Sequence, residues 1–224
     1  MPWLYYAAKP IVRTLLLLLT RRQVKGRENI PSQGPFLIVA NHVNLIDVPL
    51  VSISFNRRLI FLTKKELFHF RWIGYLVGSL GGFPIYREQL DRKALRQANQ
   101  VLADGQALFI FPEGTRSRGG QLQHAFPGSA LIAFRSGAPI LPVAITGTEK
   151  LRTDRLRGAT WLLRRPRIRL TIGRPFHLPP VNGRLTKAKL TELTNFIMGH
   201  IVELLPVEYR GIYAEQGKSD DIKD

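Results

Sequence analysis

Residues 36–50 read FLIVANHVNLIDVPL, and this stretch decides the fold. The apolar run at residues 36–40 is typical of a buried strand, and a helix is predicted to start near Asp47 with Pro49 in its first turn. The residues between the strand and the helix must form a tight turn. This order of strand, turn and helix is the repeating unit of an α/β domain.

The predicted turn carries His42 and ends at Asp47. In a regular helix the five positions from one to the other rotate by about 500°, which leaves the side chains roughly 140° apart, so the pair can meet only if the chain bends. An imidazole beside a carboxylate is the arrangement of a general base and the group that orients it. A second interpretation is open at this point: Asp47 caps the helix and His42 packs beside the strand end.

Apolar runs alternate with helical patterns along most of the chain. Besides FLIVA, the predicted strands are LIFLT (59–63), FPIY (83–86), ALFIF (107–111), APILPVAI (138–145) and RIRLTI (167–172). Helical patterns follow the first strands, at 64–78, 87–104 and 128–137, and a last one includes 193–204. This alternation predicts an α/β fold with a central mixed, largely parallel sheet flanked by helices. The last strand, in which basic and apolar residues alternate, is predicted at a sheet edge.

The chain has 224 residues, enough for one domain with a substantial core. We divide it into an N-terminal interfacial helical segment (1–24), a main domain (25–205) and a polar C-terminal tail (206–224). Cysteine is absent, which excludes disulfides, thiolate metal sites and a cysteine-bound intermediate. The histidines show no metal-ligand spacing, so no metal site is predicted.

Basic residues dominate the charge. Lysine and arginine number 33 against 16 aspartates and glutamates, a formal net charge of +17. Such an excess favours an anionic partner, namely lipid headgroups, phosphorylated substrates or nucleic acid. Nine basic residues lie between Lys150 and Arg174, with Asp154 as the one acid. Because Trp161 is the single aromatic residue of this cluster, a surface that stacks nucleic-acid bases is not expected.

The N-terminal segment, MPWLYYAAKPIVRTLLLLLTRR, is mostly apolar. Its run Leu15–Leu19 is far shorter than the ~20 apolar residues of a spanning helix, and a secretory signal peptide is not expected. Ile11 and Leu18 lie on one face of a helix while Lys9 and Arg13 lie on another. The pattern predicts a helix that docks on a membrane surface, with a helix packed against its own domain as the alternative.

Three predicted strands run out into unusual polar residues. His42 follows the first strand, Arg87 follows FPIY, and residues 113–116, EGTR, follow ALFIF. Ligands in open α/β sheets gather at the carboxyl ends of strands, so these side chains are expected to converge on one cleft. Each feature alone is also explained as an ordinary surface pair or turn. Together, a His–Asp pair and two guanidinium groups predict activation of a hydroxyl beside a bound phosphate.

The polar residues at these strand ends belong to a series of four sequence blocks. The blocks are NHVNLIDVP (41–49), GGFPIYR (81–87), FPEGTRSRGG (111–120) and APILPVAI (138–145). In this order and spacing they resemble the blocks of the lysophosphatidic acid and glycerophosphate acyltransferases. The resemblance covers about Gly26 to Ile145. The first and third blocks are highly specific, and the second and fourth are weaker when taken alone.

The resemblance implies a role for residues in each block. His42 would be the general base and Asp47 its partner, with no covalent acyl-enzyme. Arg87 would bind the phosphate of the acceptor, with help from Arg116 of the third block. The residues implied to shape the acceptor site or the acyl pocket are Glu113, Gly114, Thr115, Arg116 and Pro142.

The chain departs from the family pattern at two positions. Asn44 stands where the family often has serine, and asparagine can still hydrogen-bond the turn. Phe126 stands before Pro127 and Gly128 where the family often has lysine. The loss of that positive charge bears on the choice of headgroup or on contact with the acyl donor.

The reaction implied is transfer of a fatty acyl group from acyl-CoA or acyl-carrier protein to the free hydroxyl of lysophosphatidic acid, which forms phosphatidic acid. No cofactor beyond the thioester donor is expected. Glycerol 3-phosphate or another lysolipid is the alternative acceptor. A basic module that binds anionic membranes or nucleic acid without catalysis is the alternative function, although nucleic acid is not expected as a partner. The expected location is the cytoplasmic face of the cell membrane, with peripheral or monotopic attachment to its anionic surface.

Overall fold

The computed structural model describes residues 2–64, 69, 74–75, 77–78, 80–85, 92–117, 119–151, 165–181 and 183–214. The helices with defined bounds are α1 (Pro2–Leu19), α2 (Asp47–Ser54), α3 (Arg92–Ala103), α4 (Gly128–Ser136) and α5 (Lys187–Glu203). The strands are β1 (Arg21–Lys25), β2 (Phe36–Ala40), β3 (Leu59–Lys64), β4 (Gly82–Ile85), β5 (Ala107–Ile110), β6 (Ile140–Thr146) and β7 (Arg167–Ile172). The candidate residue Arg87 lies outside the described residues.

The seven strands form one sheet in the order β1-β7-β6-β2-β5-β3-β4. The five strands from β6 to β4 are mutually parallel. β7 is antiparallel to β6, and β1 is parallel to β7. The prediction of an α/β fold with a mixed, largely parallel sheet flanked by helices is therefore confirmed.

The first strand is the main surprise in the sheet. β1 reads RRQVK and has a single apolar residue, so no apolar run marks it. It pairs along its whole length with β7, from Arg21 opposite Arg167 to Lys25 opposite Thr171. The expectation that β7 forms the sheet edge is wrong, because β1 covers it. β1 also crosses residue 24, where the N-terminal segment was expected to end.

The core lies on both faces of the sheet because side chains of a strand point alternately to either side. Phe36 and Ile38 of β2 belong to a cluster with Leu16 of α1 and Leu50 of α2. Leu37 and Val39 belong to the second cluster, which the buried sides of α3, α4 and α5 complete. We call these the α1–α2 face and the α3–α5 face of the sheet.

Helix α1 packs against the domain and also keeps an apolar outer side. Tyr5 and Leu16 are buried, and the ammonium group of Lys9 donates to the carbonyl of Phe55. The outward-facing apolar residues, which are about half exposed or more, are Tyr6, Ile11, Leu15, Leu17 and Leu18. No helix that the structure describes is long and apolar enough to span a membrane. The packing of α1 on its own domain is therefore confirmed, and docking of its outer side on a membrane stays a prediction.

The chain after α5 packs onto the domain instead of leaving it. Residues 207–209 and 211–213 form two short 3-10 helices, and Tyr213 is buried. The carbonyl of Tyr209 accepts from Leu122 N at 2.9 Å, and Ile212 N donates to the carbonyl of Leu122 at 3.4 Å. We call residues 206–214 the C-terminal segment. Apolar and aromatic side chains hold it in place, whereas the polar residues 215–224 lie outside the described ranges.

Candidate active site

The carboxyl ends of the parallel strands bring the predicted polar residues to one edge of the sheet. β2 ends at Ala40, two residues before His42, and the neighbouring β5 ends at Ile110, three residues before Glu113. On the other side of β2, the end of β6 leads to a 3-10 helix at Thr148–Lys150. The side chain of Asn41 joins β2 to β6, because it exchanges two hydrogen bonds with the backbone of Ile145 at 2.7 and 2.8 Å.

Asp47 closes the turn from Asn41 to Asp47, which we call the His–Asp turn. Its carboxylate is fully buried, and Oδ2 lies 3.0 Å from His42 Nδ1. The same oxygen accepts from Val43 N and Asn44 N, each at 2.7 Å. The helix cap is Ile46, and no side chain caps it. The alternative in which Asp47 caps α2 is therefore wrong, because its carboxylate accepts from N–H groups that precede it in the turn.

His42 is fixed by its backbone as well as by its ring. Its N–H donates to Glu113 Oε1 at 3.0 Å, and its carbonyl accepts from Ser117 N at 2.7 Å. The imidazole lies on the ring of Phe111, with centroids 3.8 Å apart and planes 13° apart. Because Nδ1 faces Asp47, Nε2 is the nitrogen left for a substrate. A residue held in this way can take up a proton without first changing its rotamer.

Glu113 joins the His–Asp turn to the loop that follows β5. Its carboxylate is only 1% exposed, with Oε1 accepting from His42 N and Oε2 accepting from Gln123 N at 2.8 Å. Burial raises the pKa of Glu113 from its ordinary value of 4.5 to about 7; the two N–H donors oppose this rise, and the charge of Asp47 adds to it. Glu113 thus holds the backbone on both sides of the site.

A cavity of about 580 Å³ opens beside His42. Its walls come from α1, α2, β3 and the loop after β5, so it lies on the α1–α2 face of the sheet. Val12, Ile53 and Phe61 are among its apolar walls, and Lys9 and Arg116 are its cationic ones. Its size and apolar lining are typical of a site for a small organic ligand.

The structure brings most of the predicted residues together. Gly114, Thr115 and Arg116 line this cavity with His42. Gly114 has φ of 62°, and a side chain there would approach the Phe126 ring to 2.9 Å, so the turn requires glycine. Pro142 is not brought to the cavity: it lies inside β6 opposite Val39, and its ring packs against Gly173. Arg87 falls outside the described residues.

Asn44 and Tyr209 also build this edge, and of the two only Asn44 was noted in the sequence, as a departure from the family pattern. The side chain of Asn44 donates to the carbonyls of Thr148 at 3.0 Å and Leu151 at 3.4 Å, which ties the His–Asp turn to the 3-10 helix after β6. The hydroxyl of Tyr209 donates to Glu149 at 2.7 Å and accepts from Gly147 N at 3.3 Å. Burial raises the pKa of Tyr209 to about 12, and the Glu149 carboxylate adds to the rise.

Phe111, which stacks on His42, belongs to the same sequence block as the EGTR residues, so its place in the site has a signal in the sequence. Nothing in the local sequence links Tyr209 to this edge, because the contact depends on the path of the chain after α5. Within the part of the chain that the structure describes, no three histidine or carboxylate side chains are grouped as metal ligands would be. Asp47 Oδ2, the carboxylate oxygen nearest to His42, accepts from two backbone N–H groups and lies 3.0 Å from the ring nitrogen Nδ1 of His42.

Comparison with known proteins gives a consistent result. A family model described as Acyltransferase matches residues 21–146. A 1-acyl-sn-glycerol-3-phosphate acyltransferase of Bacillus subtilis is 27% identical over 195 residues, which cover 86% of this chain and 92% of that protein. The chloroplastic 1-acyl-sn-glycerol-3-phosphate acyltransferase LPAT1 of Arabidopsis thaliana is 30% identical over 69% of this chain. The chain spans less than half of the length of that plant relative, 43%.

A solved structure has the same fold. The crystal structure of the 1-acyl-sn-glycerophosphate acyltransferase PlsC from Thermotoga maritima is similar to this chain with a TM-score of 0.63 and 27% identity. The similarity covers 86% of this chain and 76% of that one. The residues matched by the family model include the His–Asp turn, the EGTR residues and β6.

Proposed function

The chain belongs to the acyltransferase family, and on that premise we propose that it transfers a fatty acyl group from a thioester donor to the free hydroxyl of lysophosphatidic acid, forming phosphatidic acid. The donor is acyl-CoA or acyl-carrier protein. One observation carries the proposal: His42, with Nδ1 at 3.0 Å from a buried aspartate, lines an apolar cavity together with Arg116. This observation supports a site in which a base, a cation and room for an acyl chain are combined.

The reaction uses His42 as base and then as acid. Nε2 takes the proton from the acceptor hydroxyl while the oxygen bonds to the thioester carbonyl carbon. Asp47 holds the ring through Nδ1 and stabilises the imidazolium. When the tetrahedral intermediate collapses, the carbon–sulfur bond breaks and the imidazolium gives its proton to the leaving thiolate. An ester and a free thiol result, and no covalent intermediate with the protein is needed.

The oxyanion of the intermediate needs hydrogen-bond donors in this site. The N–H of Gly114 is already used, since it donates to the carbonyl of Phe111 at 3.0 Å, and the N–H of Ser117 donates to His42. Thr115 and Arg116 lie between them and line the cavity. We therefore expect the oxyanion to lie near these two residues, at the side of the site where positive charge is available.

The acceptor phosphate is expected to bind Arg116, with Arg87 as its second ligand on the basis of the family resemblance. Arg116 is exposed at the cavity wall, where a guanidinium group can form two parallel hydrogen bonds with a phosphate. The apolar part of the cavity suits a fatty acyl chain. A glycerol 3-phosphate acceptor would use the same arginines. The acylated product identifies which of the two acceptors the protein uses.

The outer side of α1 supports attachment to a membrane, because a lipid acceptor must be reached from the bilayer surface. We expect peripheral or monotopic attachment to an anionic leaflet on the cytoplasmic side, with Ile11 and Leu18 in the interface. Ile11 and Leu18 are 70% and 53% exposed. Changing both to aspartate should greatly weaken binding to anionic vesicles. Val207→Asp, at an exposed apolar position outside α1, is the control and should bind like the wild type.

The function is tested by incubating the purified protein with acyl-CoA and acyl-carrier protein donors and with lysophosphatidic acid, glycerol 3-phosphate and other lysolipids. Mass spectrometry then identifies the products. We expect that the wild type and His177→Ala both form phosphatidic acid. His177 is exposed and is not among the residues that line the cavity, so this variant is the control. Absence of an acylated product with every pair of substrates would contradict the proposal and would favour a basic binding module.

A further inference from the structure

A second concave site lies beside the His–Asp turn, and we propose that it binds the phosphorylated nucleotide end of a coenzyme A thioester. The site, which we call the basic pocket, has a volume of about 490 Å³ and is lined by Arg21, Lys150, Arg167, Arg169 and Tyr209 among others. The proposal rests on the function proposed above, since it names the donor. It assigns the nucleotide end of the donor to the opposite side of the sheet from the apolar cavity.

The basic side chains share one face of the sheet. Ile168, Leu170 and Ile172 of β7 are buried in the α1–α2 face, so the residues between them, Arg167 and Arg169, point to the other side. β1 is in register with β7 and adds its exposed residues to the same side. A hydrogen bond of 3.3 Å from Arg169 Nε to Gln23 Oε1 confirms that the two strands present these side chains together.

The charges on this face are arranged for a ligand and not for folding. Arg21 lies directly opposite Arg167 in the parallel pair, and like charges in neighbouring positions of a sheet are destabilising. Among the described residues, neither guanidinium group forms an ion pair. Of the residues that the structure describes, Glu208 is the one carboxylate that lines the basic pocket, and it is exposed. A ligand with several phosphates would supply the missing negative charge.

The basic pocket is close enough to His42 for one substrate to occupy both. Neighbouring strands are about 4.8 Å apart, so β7 lies roughly 10 Å and β1 roughly 15 Å from β2. Arg169 pairs with Thr146 at the carboxyl end of β6, and Arg167 extends two residues beyond it. Among the described residues, the 3-10 helix Thr148–Lys150 lies between the two sites. Asn44 binds it from the His–Asp turn, while its last residue, Lys150, lines the basic pocket.

The shape and position of the basic pocket favour a small polyphosphate over a membrane. Its volume is in the range of sites for small molecules, and its cations surround a concavity. The exposed apolar residues of α1 belong to the α1–α2 face, whereas the basic pocket opens on the α3–α5 face. A membrane that contacts α1 would therefore lie on the far side of the sheet. A water-soluble donor can approach from the free side.

The test uses the full chain with Arg21→Gln and Arg167→Gln combined, and measures binding of coenzyme A by titration calorimetry. The wild type should bind coenzyme A, and the double variant should bind it at least about tenfold more weakly, because each arginine contributes a charge-assisted hydrogen bond to phosphate. Dephospho-coenzyme A, which lacks the 3′-phosphate, should bind the wild type more weakly. This difference should shrink in the double variant.

Arg184→Gln is the matched control. Arg184 is exposed and precedes α5, whereas the basic pocket lies after the end of that 17-residue helix, about 25 Å away. This variant should bind coenzyme A like the wild type. Equal weakening in the control, or unchanged binding in the double variant, would overturn the proposal.

Turnover separates this proposal from the proposed function. The double variant should have a raised KM for acyl-CoA with kcat nearly unchanged, because the arginines contact the carrier and not the reacting atoms. Arginine-dependent binding of coenzyme A without turnover would support the basic pocket and contradict the proposed function. Turnover by the double variant with an unchanged KM for acyl-CoA would support the proposed function and contradict the basic pocket. If the double variant still binds coenzyme A but no longer binds anionic vesicles, the pocket binds a membrane and the proposal is overturned. If it still binds coenzyme A but no longer uses acyl-carrier protein, the pocket binds that carrier and the proposal is likewise overturned.

Discussion

The His–Asp turn and the ribbon formed by β1 and β7 lie at the same end of the sheet, yet they are built in opposite ways. In the turn, the ionisable side chains are buried, and the carboxylate of Asp47 accepts from two backbone N–H groups and contacts one ring nitrogen of His42. In the ribbon, arginines are exposed and face each other across the strands. The first arrangement fixes positions, and the second leaves charges free for a ligand.

This difference separates two requirements of a transferase. The group that moves a proton must be in place before the substrate arrives, because an error of an ångström at the reacting atoms is costly. The groups that bind a charged carrier gain from long, solvated side chains that adjust to it. Substitutions in the turn should therefore impair the chemical step and folding, whereas substitutions in the ribbon should impair substrate affinity alone.

The largest effect is expected for His42→Ala. Removing a general base lowers kcat by about 10²–10⁴-fold, and KM for the acceptor should change little because the imidazole is not its anchor. The measurement is initial rate against acceptor concentration at saturating donor. A kcat within threefold of the wild type would show that the turn does not carry the chemistry, and the comparison with the ribbon would lose its basis.

Asp47→Ala should affect folding as well as activity. The change leaves two buried N–H groups, those of Val43 and Asn44, without their acceptor. The free energy of unfolding should fall by roughly 3–5 kcal/mol, as for loss of one partner of a buried, hydrogen-bonded charge. Urea denaturation of the wild type, Asp47→Ala and His42→Ala checks this. An Asp47→Ala protein as stable as His42→Ala would show that the carboxylate only orients the ring.

Glu113 gives the turn a dependence on pH that the ribbon lacks. Because the folded protein holds the pKa of Glu113 at about 7, above its ordinary 4.5, the protonated carboxyl is favoured by folding. This contribution to stability is complete below about pH 4.5 and is lost as the pH rises through about 7, by at most about 3 kcal/mol.

The measurement is the free energy of unfolding of the wild type and Glu113→Gln at pH 5 and at pH 8. The wild type should lose more stability over this interval than the variant, whose amide does not titrate. Other groups contribute equally to both proteins and cancel in the difference. Equal losses in the two proteins would show that the carboxylate is ionised in the fold at both pH values.

The smallest effect is expected for Arg21→Gln. Relief of the repulsion with Arg167 should leave the free energy of unfolding unchanged or raise it by about 0.2–1 kcal/mol. Thermal unfolding at low and high salt checks this, since the gain should shrink as salt screens the repulsion. A loss of more than 1 kcal/mol would show that this arginine supports the fold, and the contrast between the two regions would be weaker.

Much of this architecture follows from local pattern. The apolar runs at FLIVA, LIFLT and ALFIF predict β2, β3 and β5 within a residue of their bounds, because strands buried on both faces are continuous in hydrophobicity. The convergence of His42 and the EGTR residues follows from the parallel order of those strands. These features depend on the sequence near each residue and on a general rule of sheet geometry.

Other features depend on contacts between distant residues, which local pattern does not reveal. RRQVK forms a strand only because β7 offers it an edge. Tyr209 reaches Glu149 only because the chain turns back after α5. From the sequence, Asp47 could either cap α2 or close the turn, because both roles use the same carboxylate. The structure shows that it closes the turn, because the N–H groups of Val43 and Asn44 lie within hydrogen-bond distance of the carboxylate.

The pairing of β1 with β7 also has a consequence for how the chain is made. Gln23 and Arg169, which touch across the ribbon, are 146 positions apart. In synthesis from the N-terminus onward, β1 has no neighbour in the sheet until β7 has left the ribosome. During that interval α1 lacks the cluster that buries Leu16, since most of it comes from later strands. The segment that contains α1 and β1 is synthesised before the other strands and is thus among the last parts of the domain to be folded.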